Sequence, residues 1–256
     1  MSYRQHGKAK PQVIRVADRL LMSFDEVRVQ SEMRLGAPDD LVLGYTRTMM
    51  GFLLYCPQPL RIAMIGLGGG SIPKYCYATL PDADITVVEI NPDVIALRTR
   101  FFVPDDDARF RVLCEDGAEF VARMRNQFDV LIVDGFTEAG QPPVLSTQRF
   151  YNECRECLTE SGLMIVNLPD LPQTYRPLFA RIKHSFDHQA LLVAAEDSGN
   201  QIVFAGKGRS LLCSHEQLLE RAAALVAHGS LKLARTVQMI GYAQARNDCA
   251  EIDQAQ

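Results

Sequence analysis

No stretch of this chain is apolar for long enough to cross a bilayer: the most hydrophobic run, Leu41 to Cys56, is broken by Gly44, Thr46, Arg47 and Thr48. The first ten residues, MSYRQHGKAK, have no apolar core, so the usual secretory signal is missing as well. Nor is there an excess of positive charge. The 27 Lys and Arg stand against 31 Asp and Glu, a net charge of -4, which argues against nucleic-acid and anionic-membrane partners. Seven cysteines, an odd count at irregular spacing, do not form a disulfide framework. Cys154 and Cys157 make a C-x-x-C, but it falls inside a predicted helix with no second pair or nearby histidine, which fits a structural role better than a zinc or redox one. Internal repeats and low-complexity segments are also missing. The expectation from these absences is a cytoplasmic protein.

What is present is an ordinary globular composition, 47% hydrophobic and 23% charged over 256 residues, enough for one large domain or a domain with a small appendage. The texture changes near residue 60, giving an expected division into 1–59 and 60–256. In the first part, Val13 to Phe24 and Val27 to Met33 are short runs rich in β-branched residues that read as a hairpin or small meander. Pro38-Asp39-Asp40 reads as a helix start, with the helix running to about Tyr55 and stopped by Pro57 and Pro59. From Leu60 onward strand and helix alternate. Strands are expected at Arg61 to Ile65, Ile85 to Ile90, Phe110 to Cys114, Asp129 to Val133 and Leu163 to Asn167, each apolar enough to be covered on both faces. Asn91-Pro92 and Ser146-Thr147 supply helix caps between them. Such alternation predicts an α/β fold with a doubly wound, mostly parallel, Rossmann-like sheet. Ala190 to Ala194 and Gln201 to Ala205 flank the turn segment EDSGN and add an antiparallel hairpin, with helices from about Ser214.

Within this frame "MIGLGGGS", residues 64 to 71, runs from strand into helix through Gly66, Gly68, Gly69 and Gly70. A tight turn alone needs fewer glycines, so a ligand approaching the backbone is the stronger reading. The next three strands each end in an acid, Glu89, Asp116 and Asp134, and in an open sheet such ends converge on one crevice. A single acid there could be only a helix cap. Together, Glu89 is placed for ribose hydroxyls, Asp116 with Gly117 for the exocyclic amine of adenine, and Asp134 for the reactive end of the ligand. An NAD site fits less well, because its fingerprint needs glycine or alanine where Ser71 stands and a pyrophosphate gains nothing from clustered acids. A ligand with no phosphate and a positive centre, such as the sulfonium S-adenosylmethionine, suits the acids, and the fold is then that of the S-adenosylmethionine-dependent methyltransferases.

The segments "IGLGGG", "VVEIN", "DGAEF" and "FDVLIVDGF", between Arg61 and Leu168, resemble those of the spermidine synthase family, the polyamine aminopropyltransferases. The N-terminal β-element is similar to a shortened form of that family's N-terminal β-domain. The resemblance implies decarboxylated S-adenosylmethionine as co-substrate, aminopropyl transfer to an amine acceptor such as putrescine, no metal, and a homodimer or homotetramer. It implies that Glu89 binds ribose, Asp116 binds adenine and Asp134 is the catalytic aspartate that helps deprotonate the attacking amine. The chain departs from the family at the amine-handling positions. Gly69 stands for the aspartate of the family's GGGDGG loop, Thr137 for the second aspartate of its D-S-S-D segment, and Gln30-Ser31 for the Tyr-Gln pair before Glu32-Met33. Glu138 could supply the missing charge from beside Thr137, or be a solvated loop acid. Gln30, Thr137 and Glu138 are therefore candidate acceptor-side residues, in a loop environment that runs from Phe136 to Leu145.

Two other functions stay open at this point. Without an acid at Gly69 the carboxylate of intact S-adenosylmethionine is not repelled, and backbone N–H groups could accept it, which is the route to a methyltransferase. A homologue that binds an adenosyl ligand without turnover is the other. His184 and His188 have no third ligand in view. Phe101, Phe102 and the run Gln148 to Tyr151 read as core.

Overall fold

The computed structural model describes residues 10–24, 29–136, 141–196, 199–228 and 231–254. Three antiparallel strands come first, β1 (Gln12–Val16), β2 (Arg19–Ser23) and β3 (Val29–Arg34), paired in the order β1-β2-β3. Of the expected hairpin or small meander, the structure has the second, with three strands. The first helix does not begin at Pro38. Asp40 is taken by an ion pair with Arg34 across a turn, and α1 (Gly44–Met49) starts later, behind Leu43, which offers no side-chain cap. A 3-10 turn, Met50–Leu54, then leads toward the prolines.

The large sheet follows with β4 (Arg61–Ile65), α2 (Ser71–Thr79), β5 (Asp84–Glu89), α3 (Pro92–Ile95), β6 (Phe110–Cys114), α4 (Gly117–Arg123) and β7 (Phe128–Val133). It continues through α5 (Gln148–Cys157), β8 (Leu158–Pro169), α6 (Pro172–Ser185), β9 (Ala190–Ala194), β10 (Asn200–Gly206), α7 (His215–His228) and α8 (Ala234–Gln254). The strand order is β6-β5-β4-β7-β8-β10-β9. Neighbours from β6 to β8 are parallel, and β10 runs antiparallel to both β8 and β9. This is the expected doubly wound sheet with its C-terminal hairpin.

Alternation along the strands divides the core into two. Ile62 and Met64 of β4 join the cluster under α2 and the N-terminal segment, while Ala63 and Ile65 join the cluster that buries α4, α5 and α6. Both expected caps form: Asn91 Oδ1 accepts from Asp93 N at 3.0 Å, and Thr147 Oγ1 accepts from Phe150 N at 3.0 Å. β8 is longer than its apolar run. It begins at Leu158 directly after α5, and an irregularity in its pairing with β7 absorbs the polar stretch Thr159 to Ser161. Cys154 and Cys157 are buried on α5, and burial holds both thiols well above their ordinary value, that of Cys157 at about 12, so neither is a reactive thiolate. Among the described residues no helix is long and apolar enough to cross a membrane.

One buried charge lies between the meander and the sheet. Lys74 of α2 is 1% exposed, and its Nζ donates to the Phe101 carbonyl at 2.7 Å and to Met33 Sδ at 3.1 Å. Burial lowers its pKa to about 8, partly offset by attraction to Asp39. A lysine depressed in the folded state releases its proton before the unfolded chain does, so this group lowers stability progressively as pH falls from about 10.5 through 8. Lys74→Met, which keeps the shape and the contact with Met33, is therefore expected to gain stability relative to wild type as pH falls from 10 to 7. Thermal midpoints of both proteins across that range check it, and a difference that does not change with pH would show that the amine is not strained by burial.

Candidate functional site

The chain leaves β4 outward to β5 and β6 and then returns to the other side of β4 to form β7. The carboxyl ends of β4, β5 and β7 therefore bound the crevice where ligands sit in sheets of this type. The glycine loop closes one wall. Gly66 N donates to Val88 O at 2.8 Å, and Asp134 N donates to Ile65 O at 2.9 Å, so the loop entry is clamped between the ends of β5 and β7. Gly66 has φ +97°, and a Cβ there would lie 2.3 Å from the Asp134 carbonyl oxygen. Gly70, the N-cap of α2, has φ +69° and no room for a Cβ beside Val103. Part of the demand for glycine thus comes from the protein's own packing.

Glu89 is buried at the end of β5 and turns back to this loop. Its Oε2 accepts from Leu67 N at 2.9 Å and its Oε1 from Asn91 N at 2.8 Å. Asp116 acts as the N-cap of α4, with Oδ1 accepting from Ala118 N at 2.7 Å and Glu119 N at 3.3 Å. Its cap role accounts for one oxygen and leaves the other for a ligand amine. Gly117 sits against Ile65, where a Cβ would fall 2.5 Å from Cγ2, so this glycine serves the packing of α4 on β4.

Asp134 follows β7, and its carboxyl is perturbed. Burial raises its pKa to about 6, while hydrogen bonds donated by Asn167 and Tyr45 pull it down. Asn167 Nδ2 lies 2.9 Å from Asp134 Oδ1, and Asn167 Oδ1 in turn accepts from Asn200 Nδ2 at 2.7 Å. The Tyr45 hydroxyl, on α1, is held protonated by burial and by the negative charge of Asp134. A carboxylate that gains or loses a proton near neutrality, fixed by two donors, is equipped to take a proton from a bound ammonium. Sequence reasoning did not single out Tyr45, Asn167 or Asn200. The one available signal was Asn167, a buried polar residue near the end of an apolar strand.

Residues 44–193 match the family model of the spermine/spermidine synthase domain. The chain belongs to the spermine/spermidine synthase family. A polyamine aminopropyltransferase of Chromobacterium violaceum is 35% identical over 213 residues, covering 83% of this chain and 82% of that relative. A solved structure described as a probable spermidine synthase from Corynebacterium glutamicum superposes with a TM-score of 0.69 at 21% identity, covering 83% of each chain, a likeness of fold. Human methyltransferase-like protein 13, solved in complex with SAH, is 25% identical with a TM-score of 0.65, covering 77% of this chain and 93% of that one.

Against the spermidine synthase pattern, the structure gives the Gly69 departure a physical form. Gly69 N donates to Ser31 Oγ at 2.8 Å, and a Cβ on Gly69 would come within 2.9 Å of both Ser31 Cβ and a ring carbon of Phe101. The space that the family's loop aspartate would need is occupied by β3 and by Phe101. Ser31 and Met33 are the buried residues of β3, so Gln30 is placed on the opposite face of that strand from the loop. Thr137 and Glu138 lie outside the described residues. Phe101 is core as expected, but Phe102 is 56% exposed with φ +53°, because Phe101 and Val103 on either side are both turned in against the glycine loop. His184 lies in the last turn of α6, and His188 follows it in a left-handed conformation.

Proposed function

We propose that this chain transfers an aminopropyl group from decarboxylated S-adenosylmethionine to an amine acceptor such as putrescine, as a cytoplasmic homodimer or homotetramer of polyamine biosynthesis. The observation that carries the reading is Asp134 with its two donors at the mouth of an adenosyl crevice, in a chain whose curated relatives bear the name polyamine aminopropyltransferase. In this reading Glu89 accepts from the ribose hydroxyls and Asp116 from the adenine amine through its remaining oxygen. Asp134 takes a proton from the acceptor ammonium, freeing the nitrogen lone pair. That nitrogen attacks the methylene carbon beside sulfur, the C–S bond breaks with its electron pair going to sulfur, and a neutral thioether leaves. The remaining acceleration is alignment of nitrogen, carbon and sulfur.

A second reading, methyl transfer from intact S-adenosylmethionine, is favoured by one feature: Gly69 brings no carboxylate to the loop, so the ligand's own carboxylate meets no like charge there. Calorimetric titration with both forms side by side, followed by mass spectrometry of reactions with putrescine, separates the two. The expected result is at least tenfold tighter binding of the decarboxylated form, about 1.4 kcal/mol, and an aminopropylated product. Equal or tighter binding of the intact form with no alkylated amine would overturn the transfer proposed first.

A further inference from the structure

We infer that Glu196, in the turn between β9 and β10, is a positioning residue of the transfer reaction, because it ties together the two elements that hold the donors around Asp134. The inference rests on Asp134 being the base.

Glu196 is 7% exposed, and its polar atoms are engaged by two helices. Its Oε2 lies 3.1 Å from Arg47 Nε, its Oε1 accepts from Thr236 Oγ1 at 3.1 Å, and its N donates to Thr48 Oγ1 at 3.0 Å. Its carbonyl oxygen fills the space beside Gly44, where a Cβ would stand 1.7 Å away. Arg47 Nη1 also donates to the carbonyls of Leu41 and Val42, each at 2.9 Å, fixing the entry to α1. Residues 44, 47 and 48 of α1 therefore clasp Glu196, and Tyr45, which lies between them, is the residue that donates to Asp134.

The same turn leads to the second donor. Ala195 N donates to Asn200 O at 3.0 Å, which closes the turn and places Asn200, whose amide orients Asn167 toward Asp134. Tyr45 and Asn167 come from distant parts of the chain, and the contacts of Glu196 join α1 to this turn. A buried carboxylate paired with arginine is seldom the best device for stability alone, since apolar residues of the same volume commonly do as well. It does fix one arrangement. Among the described residues, Tyr45 on α1 is the titratable group that faces Asp134, and Arg47 on α1 is the one paired with Glu196.

The test uses the full chain as wild type, Glu196→Gln and Glu196→Ala. The Asp134 carboxyl is followed by ¹³C NMR across pH, with Asp134→Asn identifying its resonance, and kcat, KM and the thermal midpoint are measured beside it. Loosening the clasp should leave Asp134 half-buried while it loses its donors for part of the time, so it should titrate at higher pH than in wild type. We expect kcat to fall about tenfold with KM for the adenosyl co-substrate unchanged, as misplacement of a reacting group costs rate before nucleoside binding. A lowered thermal midpoint with Asp134 titration and kcat as in wild type would overturn the inference and leave Glu196 a purely structural residue. If the alanine variant does not fold, the glutamine variant decides, since it keeps the backbone bond to Thr48 and one side-chain oxygen. The NMR titration does not need turnover, so a wild type that transfers nothing would count against the proposed function while the shifted Asp134 titration still supported the clasp.

Discussion

Asp134→Asn is expected to abolish transfer, leave the adenosyl ligand bound, and raise the thermal midpoint at pH 8. Transfer falls because an amide cannot take the ammonium proton, and loss of a positioned base commonly costs 10²- to 10⁴-fold in rate. Nucleoside affinity should stay within about twofold, since Glu89 and Asp116 sit on other strand ends, and such small changes are below about 0.5 kcal/mol. The gain in stability follows from the sign of the shift. The folded protein holds the Asp134 proton to about pH 6, whereas an unperturbed aspartate releases it near 3.8. Between those values the native state binds more protons than the unfolded chain, so this group's contribution to stability declines as pH rises and is at its most unfavourable above pH 6. Removing the charge relieves up to about 3 kcal/mol at pH 8 and nothing below pH 4. The same ionisation should make wild-type kcat/KM fall as pH drops through about 6. Parallel measurement of kcat, calorimetric affinity and thermal midpoint at pH 5 and 8 checks all three. Transfer at the wild-type rate would remove Asp134 as the base, and a lower midpoint at pH 8 would mean that its charge is well accommodated.

The parts of this site that were legible in the sequence are those that depend on local pattern. Strands covered on both faces read as continuous apolar runs, so the sheet, its glycine loop and the three terminal acids could be placed without contacts. Asn91 and Thr147 declared their helices because a cap acts on the next three residues. The parts that were not legible depend on pairing. Asn167 and Asn200 meet only because β10 lies antiparallel against β8, with Asn200 opposite Pro169. Tyr45 reaches Asp134 from a helix whose start the sequence placed too early, since Arg34 claims the Asp40 that would have served as its cap. Asp116 shows both sides at once. The helix cap and the ligand contact were rival readings of one carboxylate, and its two oxygens allow both.

Gly66→Ala should be the most damaging single methyl group that can be added to the crevice. At φ +97° an alanine is strained whatever the space around it, and here the space is also closed. The new Cβ would stand 2.3 Å from the Asp134 carbonyl oxygen, 2.8 Å from its carbonyl carbon and 3.2 Å from Gly135 Cα, all main-chain atoms that no rotamer change can move aside. The ends of β4 and β7 must separate, loosening the bond from Asp134 N to Ile65 O that holds the base over the loop. Backbone strain of this kind costs on the order of 1 to 3 kcal/mol, and the collision adds to it, so a fall in thermal midpoint of about 10 °C is expected for a chain of this size. Transfer should fall about a hundredfold in whatever fraction remains folded, because displacement of a reacting group by about 1 Å costs that much. Gly36→Ala is the matched control: a Cβ there meets nothing within 4 Å and its φ is not positive, so stability should change by less than about 0.5 kcal/mol. Scanning calorimetry and initial rates on the two variants decide between packing and ligand approach as the reason for the first glycine. If Gly66→Ala keeps the wild-type midpoint and loses only affinity for the adenosyl ligand, the ligand is what excludes a side chain there, and the clamp between β4 and β7 is not what fixes Asp134.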